Sequence, residues 1–487
     1  MNQIAAKREA FSLSPEPALQ NRADFSFLRS FVPSKVIWYS DAEAIPRGKR
    51  YSMSESSAKR VVITGLGIVS PLGIGIEPFE AGLKAGRSGI APISLISYSA
   101  LPCSIGAEVK ELTDETAKAK WLKSQRRNLK VMSRDIQLGV ASAIIGLENA
   151  GINTEQLDHE RIGVEFGSNQ MYSPPENLMD GAFAARGNHP EFRLEEWGPN
   201  GLGKMEPLWL LRYLPNMPSC HISILADARG PSNSLTLAEA SGNASIGEAL
   251  RIMRRGQADV MITGATGTKT GAVKAIHAAL KVPLARYDGE APETWSRPFD
   301  ATRNGQVLGE GACTIILETA ENAAARGAKI YGSILGTGSS CVLDKEGKPN
   351  TRQALVNAAR AAFRDAGLTP ADIGHVNALG LSTPYSDAEE AAAIHELFGA
   401  RGAEIPVTAF KSYLGNSGAG SGPLEIAASL LGCAQGVVFP TLNYRTPDPA
   451  CRLNVVHGSP APLSNKVFLK LSATDFGQAT ALIAVGE

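Results

Sequence analysis

The sequence predicts an α/β fold, and three observations carry that expectation. Short apolar, β-branched runs alternate with helix-period segments through both halves of the chain. Glycines stand where several of those helical patterns stop. Apolar residues make up 44% and charged residues 20% of the 487 positions, the balance of an ordinary globular enzyme with length for two or three structural units.

Residues 61–64 (Val-Val-Ile-Thr) read as a buried strand, with Gly65-Leu66-Gly67 as a tight turn after it. A helix pattern covers 133–150 and meets Gly151 as its C-cap. Residues 162–166 and 260–263 read as strands, and between them 243–255 as a helix closing on Gly256. Further on, 313–318, 331–335, 376–378, 405–408 and 467–471 are strand-like, while 352–366, 387–398 and 424–433 have helix spacing. Before all of these, residues 1–57 carry scattered prolines (Pro15, Pro17, Pro33, Pro46) and no sustained periodicity, so we expect a leader outside the main fold. Met53 is a credible alternative start, since it runs almost directly into the first strand.

Forty-eight Lys plus Arg against forty-eight Asp plus Glu leave no net charge, which argues against a nucleic-acid or membrane-surface binder. No apolar run reaches the eighteen or so residues of a membrane span. The six cysteines form no CxxC pair, and with no continuous apolar export segment at the N-terminus the expected compartment is a reducing cytoplasm. No Cys/His spacing suits zinc, and no cofactor is expected. Gly65-x-Gly67 lacks the third glycine of a dinucleotide fingerprint, where Ser70 stands, and GxSxG and GxxxxGK[ST] are both absent. A basic run from Lys118 to Arg134 reads as a helix with a solvated face, or as a docking surface for an acidic protein.

Several segments, in order, resemble the β-ketoacyl-acyl carrier protein synthases of the thiolase-like condensing enzymes. They are residues 61–73, Gly230-Pro231-Ser232 with Ser245–Ala249, Arg297-Pro298-Phe299-Asp300, Gly309-Glu310-Gly311-Ala312, Asn377-Ala378 with Gly380, Ser382-Thr383-Pro384 and Asp387, and Lys411-Ser412 with Gly415 and Glu425. The resemblance implies two similar α/β halves, 58–305 and 306–487, forming a layered αβαβα core. It also implies a dimer built through a sheet edge, and an acyl carrier protein as partner.

The family's chemistry uses a cysteine at a helix N-terminus to take the acyl chain as a thioester, two histidines for decarboxylation, and a lysine. By the resemblance, those positions hold Glu239, Leu379, Asn416 and Lys411 here, so only the lysine remains. Ala238, Ser241, Ser382, Thr383, Phe476 and Gly477 fall at the positions expected to shape the substrate pocket, and Gly-Phe-Gly-Gly of the family's C-terminal turn has become Asp475-Phe476-Gly477-Gln478. An acylated carboxylate would be a mixed anhydride open to water, not a stable thioester. Glu239 has two readings: a structural carboxylate capping the helix and pairing with Lys411, or a general base acting on a bound acyl thioester. Lys411, Glu310 and Glu425 are expected to form one ion network. His375 reads as structural, as do the thiols of Cys220 and Cys313.

The expectation is therefore a non-condensing subunit resembling a chain-length factor, paired with a catalytic ketosynthase paralogue or with itself. The alternative is an enzyme using Glu239 for decarboxylation, hydrolysis or acyl transfer on carrier-protein thioesters.

Overall fold

The computed structural model describes residues 60–94 and 103–487, so the expected leader over 1–57 lies outside them. The strands that place the site are β1 (Val61–Ser70), β2 (Ile162–Ser168), β3 (Ser232–Leu235), β4 (Val260–Thr268) and β5 (Leu308–Thr319), then β6 (Gly332–Cys341), β7 (His375–Asn377), β8 (Pro406–Thr408), β9 (Asn454–Val455), β10 (Val467–Ala473) and β11 (Gln478–Gly486). Among the described residues they lie side by side in one sheet in the order β9-β8-β7-β10-β11-β6-β1-β5-β4-β2-β3.

That order contains the same pattern twice. From β1 outward, β5 and β4 join antiparallel, then β2 and β3 join parallel. From β6 outward, β11 and β10 join antiparallel, then β7 and β8 join parallel. The two sets meet where β1 pairs with β6, Val62 opposite Ser333. A division at residue 305 assigns Leu308–Thr319 to the second half; its pairing with β1 and β4 puts it in the first.

The helices repeat as well. After β1 come α1 (Arg134–Ala150), α2 (Met217–Ala226) and α3 (Ser241–Arg254), with the short α4 (Ala272–Lys281) following β4. After β6 come α5 (Thr351–Ala366), α6 (Pro384–Phe398) and α7 (Ser421–Ala434). Helix α1 lies across β1, β5 and β4, as α5 lies across β6, β11 and β10. Helices α3 and α7 touch each other and strands of both sets, which makes them the middle layer of an αβαβα stack. Their sequences suit that place: every residue of α7 from Ser421 to Cys433 is buried, as a helix sandwiched between sheets must be.

Two local expectations are corrected. Gly65-Leu66-Gly67 is not a turn, because β1 continues through it to Ser70. The glycines allow α1 to approach closely: a Cβ on Gly67 would stand 1.8 Å from the Ser142 carbonyl oxygen, and one on Gly65 2.6 Å from that of Gly146. The second set uses the same device, with Gly336 and Gly338 of β6 facing the Ala362 and Ala358 carbonyls of α5 at 2.6 and 2.1 Å. The basic run from Lys118 also fails to form one helix. It breaks into short turns at Ala117–Trp121, Lys123–Gln125 and Leu129–Val131 before α1 begins. Like charges three and four residues apart, as at Lys120, Lys123 and Arg127, oppose a continuous helix there. Arg134, the last of the run, is half-buried and turned inward: it pairs with buried Glu310 and donates to the Val109 carbonyl at 2.8 Å.

Candidate active site

The site is built where the two halves meet head-on. Strand β3 leads through a 3₁₀ turn, Ala238–Ala240, into α3; a matching 3₁₀ turn, Gly418–Gly420, leads into α7. The two turns pack together, and a Cβ on Gly242 would stand 2.8 Å from the Ala419 carbonyl oxygen. Both helices thus direct N-terminal N–H groups, and the positive ends of their dipoles, toward one place.

Glu239 occupies that place. Ala238 before it has φ of 45°, a left-handed conformation costly for a residue with a Cβ, and it turns the Glu239 backbone sharply into the helix. The Glu239 side chain is 9% exposed. Its Oε1 accepts from Lys269 Nζ and, at 2.9 Å, from Asn416 Nδ2. Asn416 is itself held: its Nδ2 also donates to Gln306 Oε1 at 2.8 Å, and its Oδ1 accepts from the Gly418 N–H at 3.0 Å. Burial alone would raise the Glu239 carboxyl, but the Lys269 charge and the hydrogen bonds of Lys269 and Asn416 outweigh it and hold the group at about 2. Glu239 is an anion at neutral pH, already neutralised.

The partner is therefore Lys269, not Lys411. Lys411 Nζ instead donates to Glu425 Oε1 at 2.7 Å, and Lys470 pairs with the other oxygen of the same carboxylate. All three side chains are at most 2% exposed. Lys470 also donates to the Ala378 carbonyl at 3.0 Å, and Glu390 accepts the N–H groups of Leu379 and Gly380 at 2.7 and 2.9 Å. Leu379 is a buried member of the second half's apolar core. Glu310 stands apart from this network, bound to Arg134 and to the Val109 N–H.

A cavity of about 750 Å³ opens onto Glu239. Of the residues named from sequence, Ala238, Glu239, Thr383, Pro384 and Asp475 line it, together with Lys269 and Gln306. Thr383 also caps α6, accepting from the Ser386 N–H at 3.3 Å. Ser241 and Ser382 are buried and bonded to backbone instead, the first to the Leu237 N–H at 2.7 Å and the second to the Arg297 N–H at 2.8 Å. Phe476 lies half exposed with Lys281 Nζ 4.4 Å over its ring. Gly477 has φ of 77°, and a Cβ there would stand 2.5 Å from the Val342 carbonyl oxygen, so glycine is required. The Asp475 carboxyl is pushed up by burial and by the Glu239 charge.

Sequence reasoning missed Lys269, Gln306, Tyr172 and His277 of the lining. Lys269 had a usable signal: a charge directly after β4, at the C-terminal end of a buried strand of an α/β sheet, where ligands gather. Gln306 had none. His375 is buried, its Nε2 3.1 Å from Ser429 Oγ and its ring stacked on Phe468, and burial pushes it down to about 3, so it stays neutral. No cysteine lines the cavity among the described residues; Cys313 is fully buried in β5, its thiol pushed far up by desolvation. Among the described residues, no group of three His, Cys, Asp or Glu side chains could hold a metal, and no helix is long and apolar enough to cross a membrane.

Residues 58–323 match the model of the β-ketoacyl synthase N-terminal domain, and residues 331–445 that of its C-terminal domain. The chain belongs to the β-ketoacyl synthase family. This β-ketoacyl synthase family member is 33% identical over 422 residues to the 3-oxoacyl-[acyl-carrier-protein] synthase 2 of Synechocystis sp., covering 86% of this chain and 96% of the relative. The ishigamide ketosynthase/chain length factor has a similar structure (TM-score 0.74, 28% identity, covering 88% of this chain and 100% of that one). So does a chain from a complex of a type II PKS acyl-carrier protein with its ketosynthase bound to the hexaketide (TM-score 0.73, 25% identity, 88% and 99%).

Proposed function

We propose that this chain is a non-condensing, chain-length-factor-like subunit that pairs with a catalytic β-ketoacyl-acyl carrier protein synthase in fatty-acid or polyketide biosynthesis. The observation that carries this reading is the state of Glu239. At the start of α3, where the family's nucleophile is expected, stands a carboxylate held ionised by Lys269 and Asn416. It cannot form a thioester, and a carboxylate held at about 2 is a weak general base near neutral pH, which counts against the hydrolytic or decarboxylating alternative. The Leu379 side chain offers neither proton nor hydrogen bond.

In this reading the duplicated scaffold is kept for assembly. The subunit shapes the acyl tunnel of its partner, which supplies cysteine and histidines, and the growing chain arrives on an acyl carrier protein. The similar type II PKS ketosynthase, seen with its carrier protein, and the similar ketosynthase/chain length factor support that arrangement. The six cysteines are all free, as suits a reducing cytoplasm.

Native mass spectrometry of the tagged protein from its own host tests the reading. The expected result is a one-to-one complex with a cysteine-bearing ketosynthase. A homodimer alone, turning over an acyl carrier protein thioester and inactivated by Glu239→Ala, would overturn it.

A further inference from the structure

We propose that the cavity selects a planar acyl group, conjugated or aromatic, through the stacked pair Tyr172 and His277; this rests on reading the chain as an acyl-handling subunit. Both rings line the cavity. They come from separate elements, Tyr172 from the segment after β2 and His277 from the middle of α4. Their centroids are 4.2 Å apart and their planes within 4° of parallel. Neither ring belongs to an apolar core cluster, and neither has a protein hydrogen-bond partner for its polar atoms among the described residues.

The pair is held before any ligand arrives. Three residues before His277, Lys274 is ion-paired with buried Asp135; four residues after it, Lys281 sits over the Phe476 ring. Helix α4 is therefore tied on both sides of the stack, and the aromatic wall is preorganised. A saturated chain would gain only contact area against such a wall. A conjugated or aryl group gains ring stacking besides, and it loses fewer rotatable bonds on binding. The cavity, at about 750 Å³, has the size of a small-molecule site. With Glu239 already neutralised by Lys269, the acyl group is held there without a covalent bond.

The test is a titration of the purified full-length protein with a conjugated octadecatetraenoic acid, followed by the fluorescence of the acid and by its displacement with octadecanoic acid. The conjugated acid is expected to bind about ten-fold more tightly than the saturated one. Tyr172→Leu should bring the two to parity while Tyr172→Phe keeps the preference, with thermal melting showing that each variant is folded. His277→Leu is the second variant should Tyr172→Leu not fold. Equal affinities in the unaltered protein, no binding of either acid, or a preference that survives both leucine substitutions would overturn the proposal. Native mass spectrometry separates the two ideas: a ketosynthase complex without planar preference sinks only this one, and absence of the complex sinks the subunit reading.

Discussion

At Glu239 a single side chain is committed to an electrostatic arrangement. Its carboxylate, the Lys269 ammonium and the Asn416 amide form a buried set in which each member needs the others. Breaking such a set by removing one charge costs about 3–5 kcal/mol, because the remaining ion is left unpaired. Glu239→Gln should therefore lower unfolding stability by about that much at pH 7, read by urea denaturation. The pH dependence has a fixed sign. The folded group lies at about 2, below the roughly 4.3 of an unfolded glutamate. Its contribution is complete above the unfolded value and is lost as pH falls from there toward 2. The gap between wild type and variant should thus be full at pH 7, roughly halved at pH 3 and small only near pH 2. Of this site, the position of Glu239 was legible in sequence because motifs flank it on both sides. Lys269 was not legible as its partner: thirty residues of chain separate the two, and only the pairing of β2 between β3 and β4 brings their ends together.

At the scale of elements, packing decides what local signals leave open. A glycine pair after an apolar run signals a turn or a close approach with equal force, and only the presence of α1 over β1 chooses. Gly67→Ala should cost about 3 kcal/mol or abolish soluble expression, since its Cβ would meet the Ser142 carbonyl oxygen and neither strand nor helix backbone can yield. Ala at Gly203, where a Cβ meets nothing within 4 Å, is the matched control for a melting-temperature comparison. The long helices were legible from period and caps: the pattern over 133–150 became Arg134–Ala150, with Gly151 in the left-handed cap. The basic run was misread because composition shows charge but not the repulsion between neighbouring turns. Strands β7 and β8, three residues each, were legible only as apolar stretches; their parallel pairing depends on partners far along the chain.

For the whole molecule, the described sheet ends at β3, whose Ser232 and Asn233 are exposed. The chain before β3 presents Met179, Phe183, Leu194, Leu208 and Ile224 to solvent, each at least 49% exposed. A sheet edge left exposed in this way is a place for a partner strand to pair. Hydrogen exchange should therefore slow at Ser232–Leu235 when the proposed ketosynthase partner is added, and stay unchanged at the opposite end of the sheet, Asn454–Val455. Protection at neither end would count against edge-to-edge assembly. The duplication also bears on how such a protein comes to exist. Glu239 comes from one repeat and Asn416 from the other, and they meet in a hydrogen bond on the joint between them. Mutation can rewrite a joint of this kind while each repeat keeps its own packing, so lineages of this architecture are free to shed their chemistry without first losing their shape.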